Sequence, residues 1–384
     1  MGAHEDHDDT FRLLRETLRR YVEKEIVPKA AAWEEQGFVP REVLRQMGSL
    51  GFLGLRYPEE FGGAGLDARA TALLAEELGR STFGGFAITV LVHTDMASPH
   101  LLNAGTPEQI RKFLPKIING ETITAVAVTE PDAGSDVKAI RTSARREKSG
   151  SGDVWVLKGT KMFITNGALA DVYFVAAKTD PAAGAKGVSM FIVEKGTQGF
   201  SVGRKLDKHG WRSSDTAELV FDGCRVPAAN LLGEEGRGFY SIMRNFQNER
   251  IAIGAMAIGE SAKALELTLD YVKTRKAFGA PLWDKQAIRQ RLAMLAAKVE
   301  AGRQLVRHAA ELDAAGRDCV KEVSMVKAYC GELVNEVMYD CLQFHGGAGY
   351  LRESAIERMT RDARVQSIGG GATEGMLEEV AKRL

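Results

Sequence analysis

Hydrophobic residues along the chain fall into three regimes. From residue 10 to about 120 they recur at helical spacing. Phe11, Leu14, Leu18, Tyr21 and Val22 predict a first helix, with Pro28 near its end. A second helix is predicted to start near Pro40 and to carry Val43, Leu44 and Met47. A Gly-rich loop follows at 61–65, and residues 67–79 read as helix again through Leu73, Leu74 and Leu78. Thr106-Pro107-Glu108 is a strong helix start: a capping hydroxyl, a proline at the first helical position and an acid in the first turn. Between residues 80 and 108 lies a stretch whose only internal formal charge is Asp95. With Pro99, His93, His100 and several glycines, its uncharged pieces are too short for a membrane-spanning helix of roughly 20 residues, and a buried core helix is expected.

The pattern changes near residue 122. Segments 153–158, 172–177, 187–194 and 217–222 are rich in Val, Phe, Ile, Tyr and Trp. Turn signals separate them at Ser149-Gly150-Ser151-Gly152, Asp180-Pro181, Gly196 and Gly199. These are short strands. From about 237 helical spacing returns, over 237–274, 282–314, 317–344 and 352–366. The fold class is therefore α+β and multidomain: an N-terminal helical domain over 1–121, a β domain over 122–233 and a helical domain over 234–384. Such segregation argues against an alternating βαβ fold, and neither a GxGxxG fingerprint after a strand nor a P-loop occurs.

Composition narrows the function classes. Lys+Arg and Asp+Glu are 51 each, so no basic excess suggests nucleic acid as a partner. Charged residues make up 27% and hydrophobic ones 45%, ordinary for a soluble globular protein. Residues 1–9 are polar and acidic and carry neither a secretory nor a transit signature, which gives a cytoplasmic expectation. The cysteines Cys224, Cys319, Cys330 and Cys341 have no CxxC spacing. They read as small buried hydrophobes, and no metal site is expected.

Five segments could carry chemistry. Residues 126–137 (VAVTEPDAGSDV) run from an apolar start into small residues and hydroxyls whose N–H groups could cradle an anion, or form only a capped turn. Residues 159–167 (GTKMFITNG) put Phe163 and Thr165 two apart on a strand, hence on one face. Ile242, Phe246, Ile253 and Met256 form an apolar helical stripe that includes Glu249. A carboxyl there is costly unless paired, and desolvation moves its pKa toward that of a general base. The alternative is a buried ion pair with Arg244, Arg250 or an arginine of another helix. Residues 275–286 (RKAFGAPLWDKQ) and 343–350 (QFHGGAGY) are Gly-containing breaks after helices. His345 stands beside no supported nucleophile and reads as structural or ribose-facing.

Together these segments resemble the acyl-CoA dehydrogenase family of flavoproteins. The resemblance rests on TEPDAGSD, KMFITNG, LDKHGWRSSDTAELVFDGCRVP, TRKAFG, QFHGGAGY and the closing GGGATEGM, and covers nearly the whole chain. It implies a middle β-barrel or sandwich domain, a C-terminal four-helix bundle, FAD between them, and assembly as a homotetramer (a dimer of dimers). It implies that Val128, Thr129, Phe163 and Thr165 lie against the flavin. Gly134 and Ser135 would reach the pyrophosphate, with Ser135 also near the pantetheine of the substrate. Arg275, Phe278, Gln286, Gln343, Gly346 and Gly347 would meet the FAD of a neighbouring subunit, and Ala372 and Glu374 would complete the cofactor set.

Many members keep a catalytic Glu in a Tyr-Glu-Gly-Thr string of the final loop. Here that position is Gly370, so the usual base is absent. The isovaleryl-CoA and long-chain branches carry the Glu on a helix just before an Arg, and here that string is Asn248-Glu249-Arg250. The resemblance and the apolar stripe thus select Glu249 as base. Arg250 and the Gly370 N–H are expected on the substrate side. The implied reaction is α,β-dehydrogenation of an acyl-CoA, with electrons passed to an electron-transfer flavoprotein. An acyl group on a carrier protein shares the same pantetheine and is the alternative substrate. A flavin monooxygenase or nitroalkane-type oxidase on the same fold is disfavoured by the presence of Glu249. The small residues Gly84, Gly85, Ala87 and Ala97 suggest room for a longer or branched acyl tail.

Overall fold

The computed structural model describes residues 2–148 and 152–384; the turn expected at 149–151 lies outside them. Helix α1 (Gly2–Tyr21) does not end near Pro28. It passes through a π turn (Val22–Ile26) straight into α2 (Val27–Gln36), with Pro28 in the first turn of α2. A proline is tolerated at a helix start, and the wider π turn accommodates both its ring and its missing N–H. Gly37, at φ +78°, then ends the run. Helices α3 (Arg41–Ser49) and α4 (Ala68–Gly79) follow, the latter capped by the Asp67 side chain on the Arg69 N–H.

The uncharged stretch after residue 80 is buried but is not one helix. It divides into α5 (Gly84–Leu91), a π turn (Val92–Ala97) and α6 (Pro99–Ala104), because Pro99 has no N–H with which to continue a ladder. Gly84 and Gly85 do not provide room for an acyl tail. A Cβ at Gly84 would stand 2.6 Å from Trp211 Nε1, and one at Gly85 would stand 2.4 Å from Ser213 Oγ. These glycines allow α5 to close on the middle domain. Helix α7 (Pro107–Ile118) starts with a full capping box between Thr106 and Gln109.

The middle domain has strands β1 (Thr124–Ala127), β2 (Ser143–Glu147), β3 (Val154–Thr165), β4 (Val172–Lys178), β5 (Val188–Glu194), β6 (Phe200–Lys205), β7 (Thr216–Pro227) and β8 (Leu231–Leu232). Their order is β6-β7-β3-β2-β4-β5-β8, with β1 beside β4. Strands β2 and β4 meet at a single pair, Ser143 with Lys178, so the sheet folds over there into two facing halves. Trp155 then packs on Phe191 (5.4 Å) and Tyr173 on Phe200 (4.8 Å). Alternation along β4 decides which core each side chain joins. Tyr173, Val175 and Ala177 face the other half of the sheet, while Phe174 and Ala176 join a second core with Leu101, Phe113 and Ile242 from the helices.

The C-terminal domain contains α8 (Gly238–Thr274), a small hairpin of β9 (Lys276–Ala277) and β10 (Ala280–Pro281), α9 (Gln286–Ala314) and α10 (Val320–His345). The short helices α11 (Ala355–Ala363) and α12 (Thr373–Ala381) complete the bundle across α10. Helices α8 and α10 run parallel, their C-terminal ends joined by Tyr271 stacked on His345 at 4.3 Å. Helix α9 runs back antiparallel alongside both, with Arg291 bonded to Asp340 and Lys298 to Glu336 of α10. The N-terminal helices close on this bundle through glycine. A Cβ at Gly259 of α8 would stand 1.9 Å from the Glu76 carbonyl of α4. Among the described residues, no helix is long and apolar enough to cross a membrane.

Candidate active site

The first turns of α8 present Ile242, Asn245, Glu249, Ile253 and Met256 to the interior, all buried. Burial pushes the Glu249 carboxyl up to about 8, opposed by a hydrogen bond from Asn245 and by the positive charge of Arg250. Asn245 donates to Glu249 Oε1 at 3.0 Å and to the Met96 carbonyl at 2.8 Å. Its neighbour Asn248 donates to the Asp95 carbonyl at 2.7 Å. Both acceptors belong to the second π turn, whose looser ladder leaves carbonyls available to outside donors. The ion-pair alternative fails. Among the described residues no cation bridges Glu249, Arg244 is exposed, and Arg250 reaches instead toward Ser324 Oγ at 3.4 Å. Glu249 Oε2 accepts no hydrogen bond from the described residues.

The turn after β1 and the end of β3 are tied together. Met162 N–H donates to the Thr129 carbonyl at 2.9 Å. Lys161 Nζ, fully buried, donates to the Val128 carbonyl at 2.9 Å and to Glu130 at 2.8 Å. The Glu130 carboxylate also accepts the N–H groups of Arg141 and Thr142, which fixes the far side of the turn. Phe163 departs from the strand pattern. The β3–β7 register shifts between Lys161 and Ile164, and Phe163 sits at φ +60° with 65% of its surface exposed. Equal spacing along a regular strand therefore does not orient Phe163 and Thr165; a bulge does. Val128 is buried, Thr129 and Thr165 half-buried, and Gly134 and Ser135 exposed. No acceptor among the described residues takes the N–H groups of Gly134 or Ser135.

Gly370 approaches from the other side. It lies at φ +66°, and a Cβ there would stand 2.3 Å from Ile253 Cδ1, one helical turn beyond Glu249. Its N–H has no acceptor among the described residues. Ala372 and Glu374 line a cavity of about 780 Å³ with Ile368, Thr373, Arg364, Asn335, Tyr339 and His209. No middle-domain strand contributes to that cavity.

The remaining predicted cofactor residues lie elsewhere. Arg275, Phe278 and Gln286 follow the C-terminal end of α8; Gln343 lies in the last turn of α10, and Gly346 and Gly347 follow that adjoining end. Twenty-six residue steps along α8 lead from Glu249 to its C-cap Arg275, about 39 Å at 1.5 Å per residue. Phe278 is 97% exposed at φ +53°, and a Cβ at Gly346 or Gly347 would meet nothing within 4 Å.

The middle-domain residues fit a flavin. Free N–H groups at Gly134 and Ser135 suit an anionic pyrophosphate. An exposed aromatic at Phe163, with half-buried Thr129 tied to the adjacent Met162 and half-buried Thr165 two residues on, suits a flat heteroaromatic ring with polar edges. Sequence reasoning missed Asn245 and Lys327. Lys327 occupies a buried stripe with Val323, Cys330 and Val334, so the argument that singled out Glu249 would also have found it.

Three family models cover the chain in order. The acyl-CoA dehydrogenase N-terminal domain matches residues 8–121, the middle domain 125–224 and the C-terminal domain 236–384. The mouse mitochondrial long-chain specific acyl-CoA dehydrogenase is 42% identical over 381 residues, 99% of this chain and 86% of its own length. An acyl-CoA dehydrogenase of Bacillus subtilis is 41% identical over 94% of both chains. The crystal structure of an acyl-CoA dehydrogenase from Geobacillus kaustophilus superposes with a TM-score of 0.92 at 40% identity, covering 97% of both chains.

Proposed function

The chain belongs to the acyl-CoA dehydrogenase family of FAD-dependent oxidoreductases acting on CH–CH bonds, and from that premise we propose that it converts a saturated acyl-CoA to the trans-2-enoyl thioester and passes the electrons to an electron-transfer flavoprotein. The observation that carries this reading is the buried Glu249 carboxyl, paired with no cation among the described residues and one helical turn from Ile253, the residue against which Gly370 packs.

A flavin bound against Thr129, Phe163 and Thr165 supplies the hydride-accepting centre. The chain's own residues prepare the substrate. The Gly370 N–H donates to the thioester carbonyl oxygen, draws electron density from the α-carbon and makes its proton more acidic. Glu249 Oε2 accepts that proton, while Asn245 holds Oε1 and fixes the carboxylate plane. The apolar walls from Ile242, Ile253 and Met256 exclude water and favour the protonated carboxyl once the transfer is complete. Gly134 and Ser135 donate to the cofactor pyrophosphate.

The 39 Å between Glu249 and the hairpin supports a cofactor site completed by a second copy of the chain. Arg275, Phe278, Gln286, Gln343, Gly346 and Gly347 of one copy then serve the flavin of another, within a tetramer built from such pairs.

The test is an anaerobic titration of the yellow protein with saturated acyl-CoAs: short, branched and long. Bleaching of the oxidised flavin band by one class is the expected outcome. A flavin-loaded protein that no acyl-CoA bleaches overturns the reading.

A further inference from the structure

Three consecutive glycines, Gly369 to Gly371, carry no side chain with which to anchor themselves, and two of them lie at φ +66° and +108°. Such a segment has the widest conformational freedom a backbone can have. Yet it must present one N–H, that of Gly370, at a defined place. The upstream anchor is the Gly369 N–H on the Val365 carbonyl at 2.8 Å. The downstream anchor comes from another helix. Lys327 of α10 is fully buried, and its ammonium donates to the Gly371 carbonyl at 2.8 Å and also to the Gln366 carbonyl. One cation thus spans both ends of the segment, and its Cε would stand 3.8 Å from a Cβ at Gly370.

The surroundings favour this clamp. Gly331, one turn further along α10, lets the Gln366 carbonyl come so near that a Cβ there would stand 2.7 Å from it. The Gln366 amide is in turn bonded to the buried Glu260 of α8. Burying an ammonium among carbonyls is costly unless its bonds hold something the fold needs.

We infer that Lys327 is a positioning residue for the reaction: by holding the carbonyls of Gln366 and Gly371 it fixes the Gly370 N–H where the thioester oxygen binds. This rests on the proposed role of Gly370. The clamp acts on backbone that every acyl-CoA must meet, so its loss is felt in kcat more than in KM, whatever the acyl chain.

The test uses Lys327→Met, which keeps the length and apolar stem and removes the donors. Turnover is measured with the acyl-CoA that bleaches the flavin. The same acyl-CoA, labelled with ¹³C at the thioester carbonyl, is then bound in a Glu249→Gln background and its carbonyl stretch read by infrared difference spectroscopy. A hydrogen-bond donor lowers that frequency. Lys327→Met is expected to reduce kcat roughly tenfold or more with little change in KM, and to return the stretch toward its value in water. An unchanged stretch with kcat within about twofold of wild type overturns the inference. Where Lys327→Met does not fold, Gly331→Ala displaces the Gln366 carbonyl while leaving the lysine, and the same two readouts decide in the same way. A stretch that responds to Gly370→Ala but not to Lys327→Met overturns the role of Lys327 alone. A stretch that responds to neither fails through the reading of Gly370.

Discussion

The Asn245 amide lies 3.0 Å from Oε1 of Glu249 and 2.8 Å from the carbonyl oxygen of Met96, so one side chain fixes the carboxyl to the π turn of the N-terminal domain. The bond opposes burial and holds the Glu249 pKa lower than desolvation alone would set it. Asn245→Ala removes that donor. The carboxyl then rises beyond about 8, and the pH profile of kcat/KM shifts to more alkaline pH, with reduced activity near neutrality. A profile superposable on that of wild type contradicts the assignment of Glu249 as the titrating base.

Glu249→Gln preserves shape and burial while removing the base. Turnover is expected to fall by roughly 10²-fold or more, with the flavin retained, because none of the residues proposed to hold the cofactor is Glu249. Measured side by side, activity and flavin absorbance separate the two roles. Turnover within a few-fold of wild type excludes Glu249 as the base.

The raised carboxyl also makes stability depend on pH in a definite direction. Between the ordinary value of 4.5 and about 8 the folded protein holds a proton that the unfolded chain has released. Stability from this group is therefore greatest at low pH and declines as pH rises through that window. The flavin-free Glu249→Gln variant lacks this loss, so its melting temperature should exceed that of wild type at pH 8 and approach it near pH 5. Equal differences at both pH values would show that Glu249 does not carry the shift.

Glu249 was legible in the sequence because a helix repeats every 3.6 residues, so a charge on an apolar stripe stands out without coordinates. The strands β3, β4, β5 and β7 and the capped start of α7 were legible for similar local reasons. Phe163 was placed on the right segment but in the wrong geometry, since the bulge arises from pairing with β7, which sequence spacing does not encode. The continuation of the first helix past Pro28 depends on a π turn, and the roles of Gly84 and Gly85 depend on Trp211 and Ser213, more than 120 residues away. Gly370 was found only through the resemblance, because a glycine has no pattern of its own until its neighbour Ile253 is seen.

Asp362 of α11 joins all three domains. It accepts the Gly84 N–H of α5 at 3.0 Å and the Trp211 N–H of the middle domain at 2.6 Å. Asp362→Ala leaves the buried Gly84 N–H without an acceptor, at about 1–3 kcal/mol, and the part-buried Trp211 N–H at less. Burial, with the nearby charge of Glu34, holds this acid up at about 7, so relief of its own desolvation offsets part of that loss. The expected net effect is a melting temperature lower by several degrees, read by calorimetry on the flavin-loaded protein. An unchanged midpoint would show that the junction is held by packing alone.

The separation of about 39 Å between Glu249 and the hairpin bearing Phe278 leads to a complementation experiment. Where Phe278 of one copy covers the flavin of another, Phe278→Ala damages the site of its neighbour and Glu249→Gln damages its own. Each variant alone is then impaired. In a hybrid pair the chain carrying Phe278→Ala keeps its base and receives an intact Phe278 from the Glu249→Gln chain, so one site of the two is whole. Random mixing at equal amounts, by co-expression, makes about half of all pairs hybrid, and activity should recover to about a quarter of wild type. Activity no higher than the average of the two separate variants would place Phe278 outside any shared site, and the hairpin would then need another reason for leaving an aromatic ring 97% exposed.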